Sequence, residues 1–139
     1  MTKPNTYRAY VTLVGNFDPN DISTELGVQP TRSWKKGNIN PITRLERTRS
    51  RWCLDSSEAE TVCLEDQIVD LLWKLRPCAA KFVELRSKID GVMQLVAYFH
   101  QGYPGFALDE TVLQDLADLK LGIDCDFYYL YSDKREDSD

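Results

Sequence analysis

The amino-acid sequence predicts a single α+β domain whose mainly antiparallel sheet is covered by helices. Residues Tyr7–Val14 alternate in the manner of a strand with one buried face, and Leu64–Leu75 carry the apolar stripe of an amphipathic helix. The chain has 139 residues, 42% of them hydrophobic and 28% charged, which suits one globular domain with its own core. We expect this domain to span residues 1–132 and a charged, flexible tail to span 133–139.

The first helix is predicted directly after the first strand. Asp18 places a side-chain oxygen where free backbone amides need an acceptor, and Pro19 fits the first helical position because its missing N–H costs nothing there. Ile22 and Leu26 lie four residues apart on one face, and Gly27 suits the left-handed conformation that ends many helices. These signals predict a helix of about two turns.

The segment Asn38–Ser50 is predicted to be an exposed, mobile loop, because it contains Pro41, many polar residues and no clear period. The residues that follow it, Arg51–Leu54, predict a short strand. In that strand Trp52 and Leu54 face inward, and the two alternate side chains face the other way.

A broken pair of helices is predicted in the middle of the chain. The helix at Leu64–Leu75 is the longest, and Pro77 should end or kink it because proline cannot continue the hydrogen-bond ladder. A second helical segment then runs to Ile89, after which Asp90 and Gly91 turn the chain.

The last third of the chain predicts two or three strands and one helix. Val92–Phe99 is rich in β-forming side chains with little alternation, which is typical of a central strand in a covered sheet. Phe106–Leu108 predicts a short additional strand. Asp109 caps a third helix that Gly122 ends, and alternating side chains over Ile123–Tyr131 predict the final strand.

Two segments of the chain follow the same order of signals. Phe17–Val28 and Leu108–Ile123 each contain an apolar residue, a capping aspartate, an apolar helix face, a glycine and another apolar residue. This similarity is compatible with two related ferredoxin-like halves. The spacing differs, however, and any capped helix before a strand has the same outline, so both interpretations stay open.

Membrane, zinc and secreted classes are disfavoured. No apolar run approaches the roughly 20 residues that span a bilayer, and the first residues lack the apolar core of a signal peptide, so we expect a cytoplasmic protein. Cys53, Cys63, Cys78 and Cys125 form no C-x-x-C pair and have no histidine at ligand spacing. We therefore expect reduced, mostly buried thiols, and neither a metal nor another cofactor.

Positive charge is concentrated in one part of an acidic chain. The formal net charge is -5, yet the stretch Thr31–Arg51 contains seven basic residues and a single acidic residue, Glu46. Such a distribution can steer an anionic partner to one face of the molecule, while the overall acidity disfavours indiscriminate binding of nucleic acid.

This basic stretch is the candidate binding surface. The residues that we select as candidates are Arg32, Trp34, Lys35, Lys36, Arg49 and Arg51. Arginine binds phosphate or carboxylate oxygens through its planar fork and lysine as a point charge, while tryptophan can stack on a base or anchor a protein. The alternative is that Trp34 and Trp52 belong to the core and that the charges only solvate a loop.

No arrangement of residues in the sequence specifies catalysis. His100 is the only histidine, and no orienting partner for it can be identified. Asp124 and Asp126 share one face of the last strand about 7 Å apart, but two carboxylates without a third ligand are better explained as a solvated strand face. We name no catalytic residue and no metal ligand, and we favour a protein that is not an enzyme.

Five segments together carry a resemblance to a known family. They are Phe17–Thr31, Lys36-Gly37, the strand around Trp52, the helix Leu64–Leu75 and the ending Leu116–Tyr128. On these residues most of the chain resembles the bacterial family described as domain of unknown function 4279. The family name implies no activity.

Two hypotheses of function remain. The first is a non-enzymatic protein-interaction module with an unidentified protein partner, and an immunity protein that neutralises a basic toxin is one specific form of it. The second is a domain that binds a small anionic molecule or phosphate ester at the basic loop 31–51, with or without catalysis. The missing catalytic set and the separated charges favour the first.

Overall fold

The first predicted strand lies at the centre of the sheet. The structure, a computed structural model, describes residues 3–132. Within this range the five strands are β1 Thr6–Gly15, β2 Arg32–Trp34, β3 Ser50–Asp55, β4 Asp90–Phe99 and β5 Gly122–Tyr129. They lie in the order β2-β3-β1-β4-β5, and every neighbouring pair is antiparallel except β4 and β5, which are parallel. The prediction of a mainly antiparallel sheet is confirmed.

Helices pack on one face of this sheet. Within residues 3–132 they are α1 Pro19–Leu26, α2 Leu64–Leu75, α3 Ala79–Arg86 and α4 Glu110–Asp118, with a turn of 3-10 helix at Arg76–Cys78 between α2 and α3. A single apolar cluster joins the inward side chains of β1, β3 and β4 to buried side chains of all four helices. The α+β class of the domain is therefore confirmed.

The capping signals predicted α1 and the helix break correctly. The side chain of Asp18 accepts a hydrogen bond of 2.9 Å from the backbone nitrogen of Asn20, and Gly27 has a φ of 70°. Pro77 lies in the 3-10 turn that ends α2, because its ring removes a donor from the helical ladder.

Trp52 belongs to the core. Its side chain is fully buried, and the neighbouring inward residue of β3, Leu54, is buried beside it. The alternative that assigned Trp52 to the core is thus correct, and its ring presents no surface to a partner.

A buried glutamine completes the hydrogen bonding of β1 where β3 ends. Strand β3 reaches only Asp55, opposite Tyr10, so the preceding residues of β1 need other partners on that side. The side-chain oxygen of Gln67 accepts from the backbone nitrogen of Ala9 at 2.8 Å, and its nitrogen donates to the carbonyl of Tyr7 at 2.9 Å. Because buried backbone groups without partners are costly, this side chain from α2 replaces a strand here.

Three local predictions are wrong. Asp90 and Gly91 already belong to β4, so they do not turn the chain. Phe106–Leu108 forms no strand in the described part of the chain. Gly122 opens β5, and the left-handed residue after α4 is Lys120, with a φ of 58°. The amino-acid pattern of a segment does not show whether a neighbouring strand is available to pair with it.

The second face of the sheet, which we call the open face, carries no helix within residues 3–132. The strand predicted at Val92–Phe99 is β4, which lies inside the sheet between β1 and β5, as expected of a central strand, but the helices cover one face of the sheet only. Val92 and Val96 point to the open face and are partly exposed. Apolar residues on both sides of a strand thus did not mean burial on both sides.

The two similar segments of the sequence connect their strands differently. Helix α1 lies between β1 and β2, which run in the same direction but are separated in the sheet by β3, whereas α4 lies between β4 and β5, which pair directly and parallel. The two segments therefore share the direction of their strands but not the adjacency, and both interpretations stay open.

Two further predictions concern the chain as a whole. No helix among residues 3–132 is long and apolar enough to cross a membrane. The predicted tail at 133–139 lies outside the described residues.

Candidate functional site

Residues 37–47 form a hairpin between β2 and β3. The loop predicted at Asn38–Ser50 is mostly exposed, as expected, but its last residue, Ser50, is buried and begins β3. The backbone nitrogen of Gly37 donates to the carbonyl of Arg47 at 2.9 Å, and the nitrogen of Arg47 donates to the carbonyl of Asn38 at 2.7 Å. These bonds join the two ends of the segment and give its side chains defined positions.

Asn40 closes the turn of this 37–47 hairpin. Its side-chain oxygen accepts hydrogen bonds from the backbone nitrogens of Ile42 at 2.9 Å and Thr43 at 3.3 Å. Its carbonyl accepts from the nitrogen of Arg44 at 2.8 Å, and Arg44 has a φ of 64°. Asparagine is suited to such turns because its short side chain imitates a backbone acceptor.

The two predicted lysines lie at the base of the hairpin. The buried hydroxyl of Ser50 accepts a hydrogen bond of 2.9 Å from the backbone nitrogen of Lys36. The ammonium of Lys35 lies 3.8 Å from a carboxylate oxygen of Asp18, and both groups are well exposed. Neither lysine side chain lines the pocket beside Trp34 that is described below.

Trp34 lies on the open face beneath two arginines. The guanidinium of Arg47 is 3.8 Å from the centre of the Trp34 ring, and that of Arg51 is 5.7 Å from it. Both distances permit attraction between a cation and an aromatic face, worth about 0.5–1 kcal/mol at exposed sites. Trp34 is partly exposed, so it is neither a core residue nor a fully free anchor.

A pocket of about 290 Å³ opens beside this stack. Its walls are formed by Trp34, Asn40, Thr43, Leu45, Glu46, Arg47, Thr48, Arg49 and Arg51. Three of the six candidates predicted from the sequence, Trp34, Arg49 and Arg51, therefore come together. Arg47 joins them, although we did not select it.

The arginines of the pocket are not neutralised by carboxylates. Within residues 3–132, Arg47, Arg49 and Arg51 have no Asp or Glu oxygen within ion-pair distance. Arg51 donates a hydrogen bond of 3.2 Å to the hydroxyl of Thr12, which holds its guanidinium against the sheet. Glu46 is the single carboxylate among the lining residues, so the pocket carries a net positive charge.

Arg32 occupies a different position on the open face. Its guanidinium binds Asp55 through two hydrogen bonds, of 2.9 and 3.3 Å, and lies 4.6 Å from the centre of the Tyr10 ring. Thr31 donates to the same carboxylate at 2.9 Å, and Arg8 lies 3.4 Å from it. The charge of Arg32 is thus largely engaged within the fold.

This cluster shifts the pKa values of both partners. Burial by itself raises the pKa of Asp55, but hydrogen bonds from Arg32 and Thr31 and the charges of Arg32 and Arg8 outweigh it and lower the pKa. Burial also acts against the charged form of Arg32, and the hydrogen bond and charge of Asp55 outweigh it, so the pKa of Arg32 is raised. Each partner stabilises the ionised form of the other.

The opposite edge of the open face is aromatic and acidic. The rings of Tyr98 and Tyr128 stack with their centres 5.0 Å apart and an angle of 12° between them. Tyr10 lies with the arginines instead, beneath Arg8 and Arg32. Asp124 and Asp126 are exposed on β5, and the amide nitrogen of Gln94 donates to Asp126 at 3.1 Å.

Other reactive side chains are dispersed in the described part of the chain. No group of three or more His, Cys, Asp or Glu side chains within residues 3–132 is arranged to hold a metal ion. Cys53 and Cys78 are buried, but Cys63 and Cys125 are exposed, so the prediction of mostly buried thiols is only half correct. Burial raises the pKa of Cys78, and burial together with Asp124 and Asp126 raises that of Cys125.

These features define an α+β domain with helices on one face of a sheet and a basic, aromatic pocket at the edge of the other face. Residues 5–130 match the family described as "Domain of unknown function (DUF4279)", and the chain belongs to that family. The resemblance found in the sequence is thereby confirmed. Comparison with curated proteins and with solved structures gave no match.

Proposed function

We propose that this domain is a non-enzymatic protein-interaction module that binds an acidic segment of its partner, with an anionic group of that segment in the pocket beside Trp34. One observation carries the proposal: Arg47, Arg49 and Arg51 surround an exposed concavity and have no carboxylate partner within residues 3–132. Three cations close together repel one another, so an anion that enters the pocket relieves that repulsion.

The chemistry of the pocket suits binding to a protein surface. Arginine forks bind carboxylate or phosphate oxygens with two parallel hydrogen bonds, and the face of Trp34 offers apolar area beside them. Tryptophan and arginine are enriched among the residues that dominate the free energy of protein interfaces. Asn40 and Thr48 add an amide and a hydroxyl on the walls. The lining residues therefore supply positive charge, hydrogen bonds and an aromatic face, all of which can bind an acidic segment of a protein.

Affinity capture from a lysate of the source organism tests the proposal. The bait is the wild-type chain, and the matched pair is an Arg47→Glu/Arg49→Glu variant and a Lys81→Glu/Lys88→Glu variant. The second variant makes the same change of charge at exposed lysines far along the chain on or next to α3. We expect a partner that binds the wild type and the lysine variant, is lost from the arginine variant, and cross-links to the hairpin through an acidic segment.

Two results would contradict this role. One is a partner that the arginine variant retains as well as the wild type does. The other is the absence of any specific partner for all three baits. An immunity-like role toward a basic toxin would use the acidic remainder of the chain, and it would give a basic partner that the arginine variant still binds.

A second candidate function is the binding of a small phosphate ester or organic acid in the same pocket. It is favoured by the volume of about 290 Å³, which is just below the roughly 300–1,000 Å³ found for small-molecule sites. Thermal unfolding with inorganic phosphate, nucleotides, sugar phosphates and acidic metabolites distinguishes the two candidates. A ligand at about ten times its Kd stabilises the fold by about 1.4 kcal/mol.

The controls separate a pocket from a general salt effect. A rise in Tm that Arg49→Ala abolishes and Lys81→Ala preserves supports the small ligand. A panel without effect on Tm, together with a captured partner, supports the protein module.

A further inference from the structure

Two exposed apolar regions of this chain are flanked by residues of opposite charge. One is the tip of the 37–47 hairpin, where Ile42 is 89% exposed and Ile39 is 59% exposed. The other is the outward face of α2, where Trp73 is 66% exposed and Val69, four residues before it, is 49% exposed. Large apolar side chains grouped on a surface are typical of contact sites.

The outward face of α2 is concave. A groove of about 460 Å³ is lined by Val62, Val69 and Trp73 together with three carboxylates, Glu58, Asp66 and Asp70. Asp70 is bound within the fold by Ser56, Ser57 and Lys74. Glu58 and Asp66 have no cation within ion-pair distance among residues 3–132, so their side of the groove is acidic, while the guanidinium of Arg76 lies 5.1 Å from the centre of the Trp73 ring.

The hairpin tip carries a positive charge beside its apolar side chains. Its apolar side chains, Ile39 and Ile42, are followed by Arg44, which is exposed and has no carboxylate within ion-pair distance in the described part of the chain. Hydrogen bonds to Asn40 hold the backbone of this turn. A preformed turn loses little conformational entropy when it is bound.

We propose that the groove on α2 binds the hairpin tip of a second copy of this chain. Ile42 and Ile39 then cover Val69 and Trp73, and Arg44 lies among the rim carboxylates of Glu58 and Asp66. Two copies that exchange tips about a twofold axis make this contact twice and close into a dimer, whereas contact in one direction only extends into a chain of copies.

The proposed contact does not depend on the anion pocket. Ile39, Ile42 and Arg44 do not line that pocket, and the groove lies on the helix layer, not on the open face. A single hairpin in a groove is smaller than the roughly 1,200–2,000 Å² of stable interfaces, so the association should be weak and dependent on concentration.

Sedimentation velocity from about 10 µM to about 1 mM measures this association. We expect the wild type to pass from a species of 16.0 kDa to one of at least twice that mass. Ile42→Glu and Trp73→Glu should each weaken association by about tenfold or more, because each places a carboxylate in the apolar contact. Leu113→Glu is the matched control, since Leu113 is 51% exposed on α4 and belongs to neither region.

Mixing complementary variants tests the contact directly. The Ile42→Glu chain keeps an intact groove and the Trp73→Glu chain keeps an intact tip, so their heterodimer has one intact contact where either homodimer has none. An equimolar mixture should therefore associate more strongly than either variant alone, but less strongly than the wild type. Arg44→Glu in one chain and Asp66→Arg in the other leave both contacts of the heterodimer complementary, so this mixture should recover the association of the wild type. A wild type that stays at 16.0 kDa throughout, a charge-exchanged mixture that associates no better than its separate chains, or a Leu113→Glu variant as defective as the others overturns the proposal.

Discussion

The indole nitrogen of Trp52 donates a hydrogen bond of 3.1 Å to the hydroxyl of Ser23, and both side chains are buried. The same hydroxyl donates to the carbonyl of Pro19 at 3.2 Å, so one serine links the first turn of α1 to strand β3. Because β3 pairs with β2, this link also supports the strand that carries Trp34.

Replacement of Ser23 by alanine should therefore lower the free energy of unfolding by about 1–3 kcal/mol, because it leaves the buried indole N–H without an acceptor. Urea unfolding measures the change. Thr24→Ala is the control: its hydroxyl makes the same type of bond, to the carbonyl of Asn20 at 3.0 Å, but is exposed. Equal losses for the two variants would show that the bond to Trp52 contributes nothing specific.

Gln67 should be among the most sensitive polar positions of the domain. Its side-chain oxygen accepts a hydrogen bond from the backbone nitrogen of Ala9, and its side-chain nitrogen donates to the carbonyls of Tyr7 and Val62. All three bonds are 2.9 Å or shorter. Gln67→Met keeps the length of the side chain but leaves these groups unpaired, and a loss of about 2–4 kcal/mol is expected in urea unfolding. Gln114→Met, on the exposed side of α4, should stay within about 0.5 kcal/mol of the wild type.

Asp55 should make stability depend on pH in acid. Its pKa is lower in the folded state than the ordinary value of 3.8, so the unfolded state takes up a proton first as the pH falls. The carboxylate thus stabilises the fold above about pH 4, and this contribution is lost as the pH falls through the lowered pKa. Asp55→Asn should cost about 1 kcal/mol at pH 7, a modest value because the cluster is partly exposed and screened.

The difference between wild type and Asp55→Asn should shrink when urea unfolding is repeated near pH 3. Asp66→Asn, at an exposed carboxylate, serves as the control. A difference that is the same at both pH values would contradict the assigned role of the Arg32–Asp55 pair.

The stack of Arg47 on Trp34 should be visible in NMR spectra of the free protein. A guanidinium 3.8 Å above the ring lies in its shielding zone, so the side-chain protons of Arg47 should be shifted upfield. Trp34→Leu should return them to ordinary positions, because it removes the ring that shifts them. Unshifted Arg47 protons in the wild type would exclude the stack.

The sequence correctly predicted the features that depend on residues close to one another in the chain. The alternation of Tyr7–Val14, the cap at Asp18 and the break at Pro77 each involve residues within a few positions of one another, and the structure confirms all three. Sheet order was not predictable in this way. The parallel pairing of β5 with β4 joins residues about 30 positions apart, and no short pattern encodes that choice.

The candidate site, too, could be predicted only in part from the sequence. Residue type identified Trp34, Arg49 and Arg51, because arginine and tryptophan are suited to anion and partner binding wherever they occur. Arg47 was missed, since its position over Trp34 depends on the register of the 37–47 hairpin. The turn signal at Asn40 was present in the sequence and, with Pro41 after it, could have indicated a hairpin.

Strand β5 leaves one row of backbone donors and acceptors unpaired along an eight-residue edge within the described sheet. Such an edge is a template on which another strand can grow into an aggregate. Asp124 and Asp126 place negative charge at two alternate positions in the middle of it, so a second β5 paired in that register would bring carboxylate against carboxylate. The two aspartates that we considered as ligands would thus disfavour edge-to-edge pairing of two copies of this strand.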